Sequence, residues 1–187
     1  MKTKNDIFKI TFTAIMLALA VVLSSFCQIR LFSDIRLDLS YVVIVTMCYL
    51  YGGLVGGFFA GGVALMNSMF FSAYGVSISW ITANLIIGFI VGTVLHNIKP
   101  QKSWVKYVLD ITTVIVACAL GLLGAKTLIE CKLYNIPFAV KIIKNLVAFG
   151  SDTLLMIMGY FTIIPLYNFF YNKGMKKNNQ MNLKEEE

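Results

Sequence analysis

Charge is what this sequence has least of. Of its 187 residues only 13% are Asp, Glu, Lys or Arg, about half the share of an ordinary soluble domain. None of the four occurs between Asp38 and Lys99. At about 20 residues per bilayer crossing, that interval has room for roughly three spans. Histidine is also scarce. His96 is the single one, so a histidine-ligated metal or a Ser-His mechanism inside the membrane is not expected. The cysteines, Cys27, Cys48, Cys118 and Cys131, include no C-x-x-C pair, which leaves no zinc or dithiol motif. They read as small apolar packers, with Cys27 and Cys131 placed where they could meet near the outer surface. The stretch Gly121-Leu122-Leu123-Gly124-Ala125-Lys126-Thr127 lacks the Gly-Lys-Ser/Thr core of a phosphate-binding loop, so ATP binding through it is not expected.

What is present is apolar. The sequence is 58% hydrophobic with mean hydropathy +0.78. Runs such as Tyr41-Val42-Val43-Ile44-Val45 and Asn84-Leu85-Ile86-Ile87-Gly88-Phe89-Ile90 are apolar on every side. A membrane barrel alternates apolar and polar residues, which leaves helices as the way to satisfy the backbone in lipid. The expected fold is an all-α integral membrane bundle occupying residues 1–171, with six spans at about 7–27, 39–51, 54–71, 80–95, 107–129 and 138–170. A polar tail, 172–187, is expected to be disordered. The apolar run Ile10–Cys27 is long for a signal peptide and lacks a small-x-small exit, and bulky Phe26 argues against lipid attachment at Cys27. The loop 28–40 carries Arg30, Asp34, Arg36 and Asp38 without glycine or proline, so it is expected to be ordered.

Six spans put both termini on one side. If that side is the cytoplasm, ten of the sixteen basic residues fall inside, as membrane proteins prefer. Arg30, Arg36, Lys126, Lys132, Lys141 and Lys144 remain outside. One reading is an outward cavity that attracts an anionic solute, with Arg36 gripping a carboxylate. The other is that the lysines snorkel from helix ends to the headgroups. Lys144 and Asp152 share a helix face about 12 Å apart. An ionisable group as deep as Asp152 is functional by default, unless it is held neutral or hydrogen-bonded to a neighbouring helix, for example at Asn84. Gly53-x-x-x-Gly57-x-x-x-Gly61 and Ala14-x-x-x-Ala18 have the small-x-x-x-small spacing of close helix contacts.

The order of these features resembles the S components of energy-coupling-factor (ECF) vitamin transporters: six spans, Ala14-x-x-x-Ala18 in the first, a structured outer loop, and the turn Tyr49-Leu50-Tyr51-Gly52-Gly53-Leu54-Val55-Gly56-Gly57. The resemblance implies a subunit that captures a water-soluble vitamin from outside. It also implies partners, a transmembrane coupling subunit and two ATP-binding subunits that hydrolyse the ATP, so this chain is expected to be no enzyme and to carry no cofactor, metal or nucleic acid. Ala14 and Ala18 become the surface docked on the coupling subunit. Arg36, Asp38, Tyr41, Tyr74, Ser79, Trp80, Asn84, Lys141, Lys144 and Asn145 become the candidate vitamin site, with Arg36 pairing an anionic group and Tyr74 and Trp80 stacking on a ring. Arg36 before the second span and the basic start of the last one, Phe138-Ala139-Val140-Lys141-Ile142-Ile143-Lys144-Asn145-Leu146, look most similar to the folate-type branch. A folate-like vitamin is therefore the expected solute, and the rivals are an S component for a different vitamin or precursor, a membrane scaffold without a solute, and a self-sufficient transporter or channel.

Overall fold

The computed structural model describes the backbone of residues 2–26, 29–32, 35–71, 75–98 and 103–185, and the side chains of residues 7, 9–26, 38–71, 75–98 and 104–165. Apolar sequence in lipid must satisfy its own backbone, and this chain does so with helices. They are α1 (Lys2–Phe26), α2 (Ser40–Phe71), α3 (Ile78–Asn97), α4 (Ser103–Cys118), α5 (Thr127–Tyr134) and α6 (Phe138–Glu185), with a π-helical segment, Ala119–Lys126, joining α4 to α5. After α1 comes a small antiparallel ribbon, β1 (Ile29–Phe32) and β2 (Ile35–Leu37), with Arg30 opposite Arg36 in the register. Two strands therefore accompany a body expected to be purely helical.

Among the described residues, five helical stretches are long and apolar enough to cross a membrane: Lys9–Phe26, Ser40–Phe71, Ile78–Asn97, Trp104–Tyr134 and Phe138–Pro165. The number differs from six because α2 takes in both the second and third expected spans. It is not straight. Gly52 breaks it with φ 82° and ψ −170°, a backbone state open to glycine at little cost. A Cβ placed on Gly56 would lie 3.1 Å from the Cys48 Cα, whereas eight residues of unbroken helix span about 12 Å. The two arms, 40–51 and 53–71, therefore fold back on each other at Gly52.

Helix α3 lies against both arms, and glycines permit it. The Cys48 thiol donates to the Gly88 carbonyl at 3.4 Å. A Cβ on Gly53 would stand 2.8 Å from the Phe89 carbonyl oxygen, and one on Gly92 only 2.6 Å from that of Gly52. The bundle core around this contact is aliphatic, with Ile44, Met47, Val63, Ile87 and Val91 fully buried. Cys48 and Cys118 are buried free thiols, as packers should be, while Cys27 lies outside the described residues.

Hydroxyls are mostly satisfied at home. Thr11, Thr13, Thr46, Ser68, Thr82, Thr93, Thr112, Thr113 and Thr162 each donate to the carbonyl four residues back, the local solution available to a membrane helix. Polar groups that reach between helices are fewer and gather at the two ends of the bundle. At the Gly52 end, Lys106 pairs with Asp110 at 3.2 Å and caps α3 through the Leu95 and Ile98 carbonyls. A cation suits a helix C-terminus. Tyr160 donates to the same carboxylate, and His96 Nδ1 lies 3.1 Å from the Tyr49 carbonyl oxygen. These contacts lock α2, α3, α4 and α6 together there and leave the ribbon end for other work.

Candidate functional site at the ribbon end

Asp38 starts the site by starting a helix. Its Oδ1 accepts the Ser40 N–H at 3.0 Å, as an N-cap should, and its Oδ2 accepts the Ser24 hydroxyl at 2.8 Å. Both oxygens therefore hold the entry of α2 against α1. The cap fixes Tyr41, one turn in and 1% exposed, with its ring meeting Trp80 of α3 edge to face at 6.4 Å and 82°.

The π-helical segment supplies the opposite wall. Up to Leu122 the buried positions are Asp110, Val114, Ala117, Cys118, Gly121 and Leu122, an α-helical stripe. Continued at 3.6 residues per turn, that stripe reaches positions 125 and 129. Instead Thr127 and Glu130 are buried and Leu128 faces out. The wider π turns, marked by the Thr127 hydroxyl donating to the Leu122 carbonyl five residues back at 3.1 Å, rotate the following residues by one position. A polar pair that an α-helix would turn outward thereby faces the bundle interior. Such segments recur at functional sites.

Side chains then form a ladder from the ribbon end inward. On the first level Glu130 receives Lys141 at 3.2 Å, the Ser79 hydroxyl at 3.2 Å and the Asn145 amide at 3.4 Å. Asn145 also donates to the Thr127 hydroxyl at 2.9 Å. On the second, the Lys126 ammonium sits 4.4 Å from the Trp80 ring centroid, a cation–π contact. On the third, Asn84 donates to the Trp80 carbonyl at 2.9 Å, and below it Tyr41, Asp152 and Thr153 are buried. The Tyr41 hydroxyl, Asp152 Oδ2 and Thr153 hydroxyl have no hydrogen-bond partner there. Buried polar atoms are seldom left so. Tyr41 and Asp152 adjoin, Asp38 and Lys126 lie within charge range of Asp152, and Cys118 adjoins Thr153.

Of the residues expected from the sequence, Tyr41, Ser79, Trp80, Asn84, Lys141 and Asn145 come together on this ladder. Asp38 borders it as a helix cap. Lys144 is exposed on α6. Tyr74 and the side chain of Arg36 lie outside the described residues. Ala14 and Ala18 are exposed on α1, next to a groove of about 320 Å³ between α1 and the second arm of α2, lined by Thr13, Leu17, Leu54, Val55, Phe58, Phe59 and Gly62. Sequence reading missed Glu130 and Thr127 as site residues and left Lys126 open between an outward cavity for an anionic solute and snorkelling. The available signal was two charges, Lys126 and Glu130, four apart inside an apolar stretch.

A multi-pass helical membrane protein with a polar interior at one end, able to bind and orient a small molecule, is the class that this geometry defines. Residues 4–167 match the family described as ECF-type riboflavin transporter, S component, and the chain belongs to that family. It is thus a substrate-binding transporter subunit and not an enzyme. The fold is shared with the crystal structure of FolT bound with folic acid, at TM-score 0.60 and 16% identity over 80% of this chain and 89% of that one. It is also shared with the S component for biotin from an ECF-type ABC transporter, at TM-score 0.59 and 17% identity over 90% and 95%.

Proposed function

We propose that this chain captures a water-soluble vitamin at the ribbon end of the bundle for ATP-driven import, and that the ligand is flavin-like. The observation that carries the choice is how the interior lysines are used. Lys141 is held by Glu130 and Lys126 lies on Trp80, so neither stands free for the carboxylates of a folate. Hydroxyl, amide and aromatic groups around them suit a flat, neutral ring with hydrogen-bonding substituents. The family description, which names riboflavin, supports the same reading. The folate alternative rests on Arg36, with Lys144 as a second cation.

The topology that goes with this function has six crossings. The arms of α2 cross separately, both termini are cytoplasmic, and the ribbon faces the exterior, where a vitamin arrives. A coupling subunit and two ATP-binding subunits complete the transporter. Mass spectrometry of molecules released on denaturing the detergent-purified protein tests the ligand. Stoichiometric riboflavin is the expected result. Stoichiometric folate would reverse the charge argument, and a protein that is empty and ignores a vitamin panel would favour a scaffold.

Docking on the coupling subunit is assigned to the exposed face of α1 carrying Ala14 and Ala18. Because both side chains point away from the bundle, Ala14→Phe/Ala18→Phe is expected to fold and bind vitamin normally while import falls to background, since close helix packing tolerates only small residues. Normal uptake by cells carrying that variant removes the assignment.

A further inference from the structure

Residues 119–134 have two registers available, and only one of them builds the site. The buried face of α4 runs on through Ala117, Cys118, Gly121 and Leu122. Wound as an α-helix from there, the chain turns Ala125, Leu128 and Ile129 inward, and all three suit an apolar interior. Wound as it is, the chain turns Thr127 and Glu130 inward and leaves Leu128 61% exposed. π-helices are mostly single turns, whereas this one runs for eight residues, Ala119–Lys126. What holds the winding comes from other helices: Ser79, Lys141 and Asn145 on Glu130, Asn145 on Thr127, and Trp80 under Lys126. Helix α5 is otherwise lightly held. Of its eight residues only Thr127 and Glu130 are buried, and it ends at Asn135, left-handed at φ 51°, with Pro137 two residues on. Glu130 stands about one turn from that exposed end, so a carboxylate turned outward there is close to the polar membrane surface.

We propose that Ala119–Lys126 is a register switch: in its π winding α5 presents Lys126, Thr127 and Glu130 to the bundle interior, and in an α winding α5 swivels about Asn135 and withdraws all three. Exchange between the windings opens and closes one wall of the site. A bound vitamin holds the π winding, because that winding alone offers the complete wall. The inference rests on the vitamin-binding reading above and adds the element that moves.

Two changes block the α winding by different means. Leu128→Lys leaves the present winding alone, since Leu128 faces out and a lysine there extends to the headgroups, but it charges a position that the α winding buries. Deletion of Gly124, where only the Ala119 carbonyl oxygen lies within 4 Å of a Cβ, removes one residue from the segment. An α-helix then carries Thr127 and Glu130 to the inside, and no second register is needed. The reporter is Thr127→Cys in the full-length protein with Cys27→Ser and Cys131→Ser, because Thr127 is fully buried and meets a maleimide only when turned out. Without ligand, each change is expected to slow labelling at least about tenfold, since a charge is kept from an apolar interior or the turned-out register is removed. In the chain without the reporter, riboflavin dissociation slows at least about threefold in both. Unchanged labelling and dissociation in Leu128→Lys, with an unaltered size-exclusion profile, overturn the switch; the same result in the deletion overturns it should the lysine variant aggregate. A reporter that never labels overturns it as well. A chain that binds no riboflavin overturns the flavin reading, while the labelling comparison still decides the switch.

Discussion

Gly88→Leu is expected to yield no folded, monodisperse protein, and Gly88→Ala to melt far below the unaltered chain. A Cβ on Gly88 would collide with the Gly56 carbonyl oxygen and lie 2.9 Å from the Ala60 Cβ. The obstacle is backbone, so no rotamer change relieves it, and the helices have to separate. Overpacking against movable side chains costs about 1–3 kcal/mol; here the upper end or more is expected even for alanine. Separation also propagates. Gly92, one turn on, meets the Gly52 carbonyl oxygen, and Gly121 on the other side of α3 meets Ile87. Gly150→Ala is the control. Nothing lies within 4 Å of a Cβ there, and replacing a helical glycine gains about 0.5–1 kcal/mol. A size-exclusion profile and a melting curve for each variant suffice. If Gly88→Ala and Gly150→Ala behave alike, the close contact between α2 and α3 is not what holds the bundle.

That contact was legible in the sequence from one side only. The glycines of α2 announced a close approach through their four-residue spacing. Their counterparts, Gly88 and Gly92, have the same spacing, but they stand apart in a run of large aliphatic residues and drew no notice. The turn at Gly52-Gly53 was legible as well, because no other residue type enters its conformation so cheaply. The ladder was half legible. Ser79 and Trp80 were named through the family resemblance, Asn84 as a possible partner for Asp152, and Asn145 as a polar group near the start of the last span. Glu130 and Thr127 were not, because helix periodicity from the buried face of α4 points them outward. A π-helical segment shifts the register by one residue without any change of composition, and periodicity measured on either side of it is correct for the wrong face. Asp38 entered the candidate site with the stretch Arg36–Tyr41 that the family resemblance implies, and its place two residues before Ser40 makes it also the cap of α2.

Glu130→Ala is expected to lower both stability and vitamin affinity more than any other single change on the ladder. Three groups from two other helices end on this carboxylate: Ser79 from α3, and Lys141 and Asn145 from α6. Removing one partner of a buried ion pair costs about 3–5 kcal/mol, because the other charge is left behind. Lys141 is 22% exposed and finds some water, so about 3 kcal/mol is the appropriate estimate. The freed ammonium is then left with water and the ligand as its partners. Glu130→Gln retains an acceptor for Ser79 and should cost less, about 1–2 kcal/mol. Glu130→Ala/Lys141→Met removes both charges and is expected to regain much of the stability, since an apolar pair is often as stable as the buried ion pair it replaces, without regaining affinity. Melting temperatures and riboflavin affinities of the three variants separate the two effects. Recovery of binding together with stability in the double variant would mean that the pair merely braces the helices. Recovery of stability alone would mean that Glu130 and Lys141 also shape the surface on which the vitamin rests.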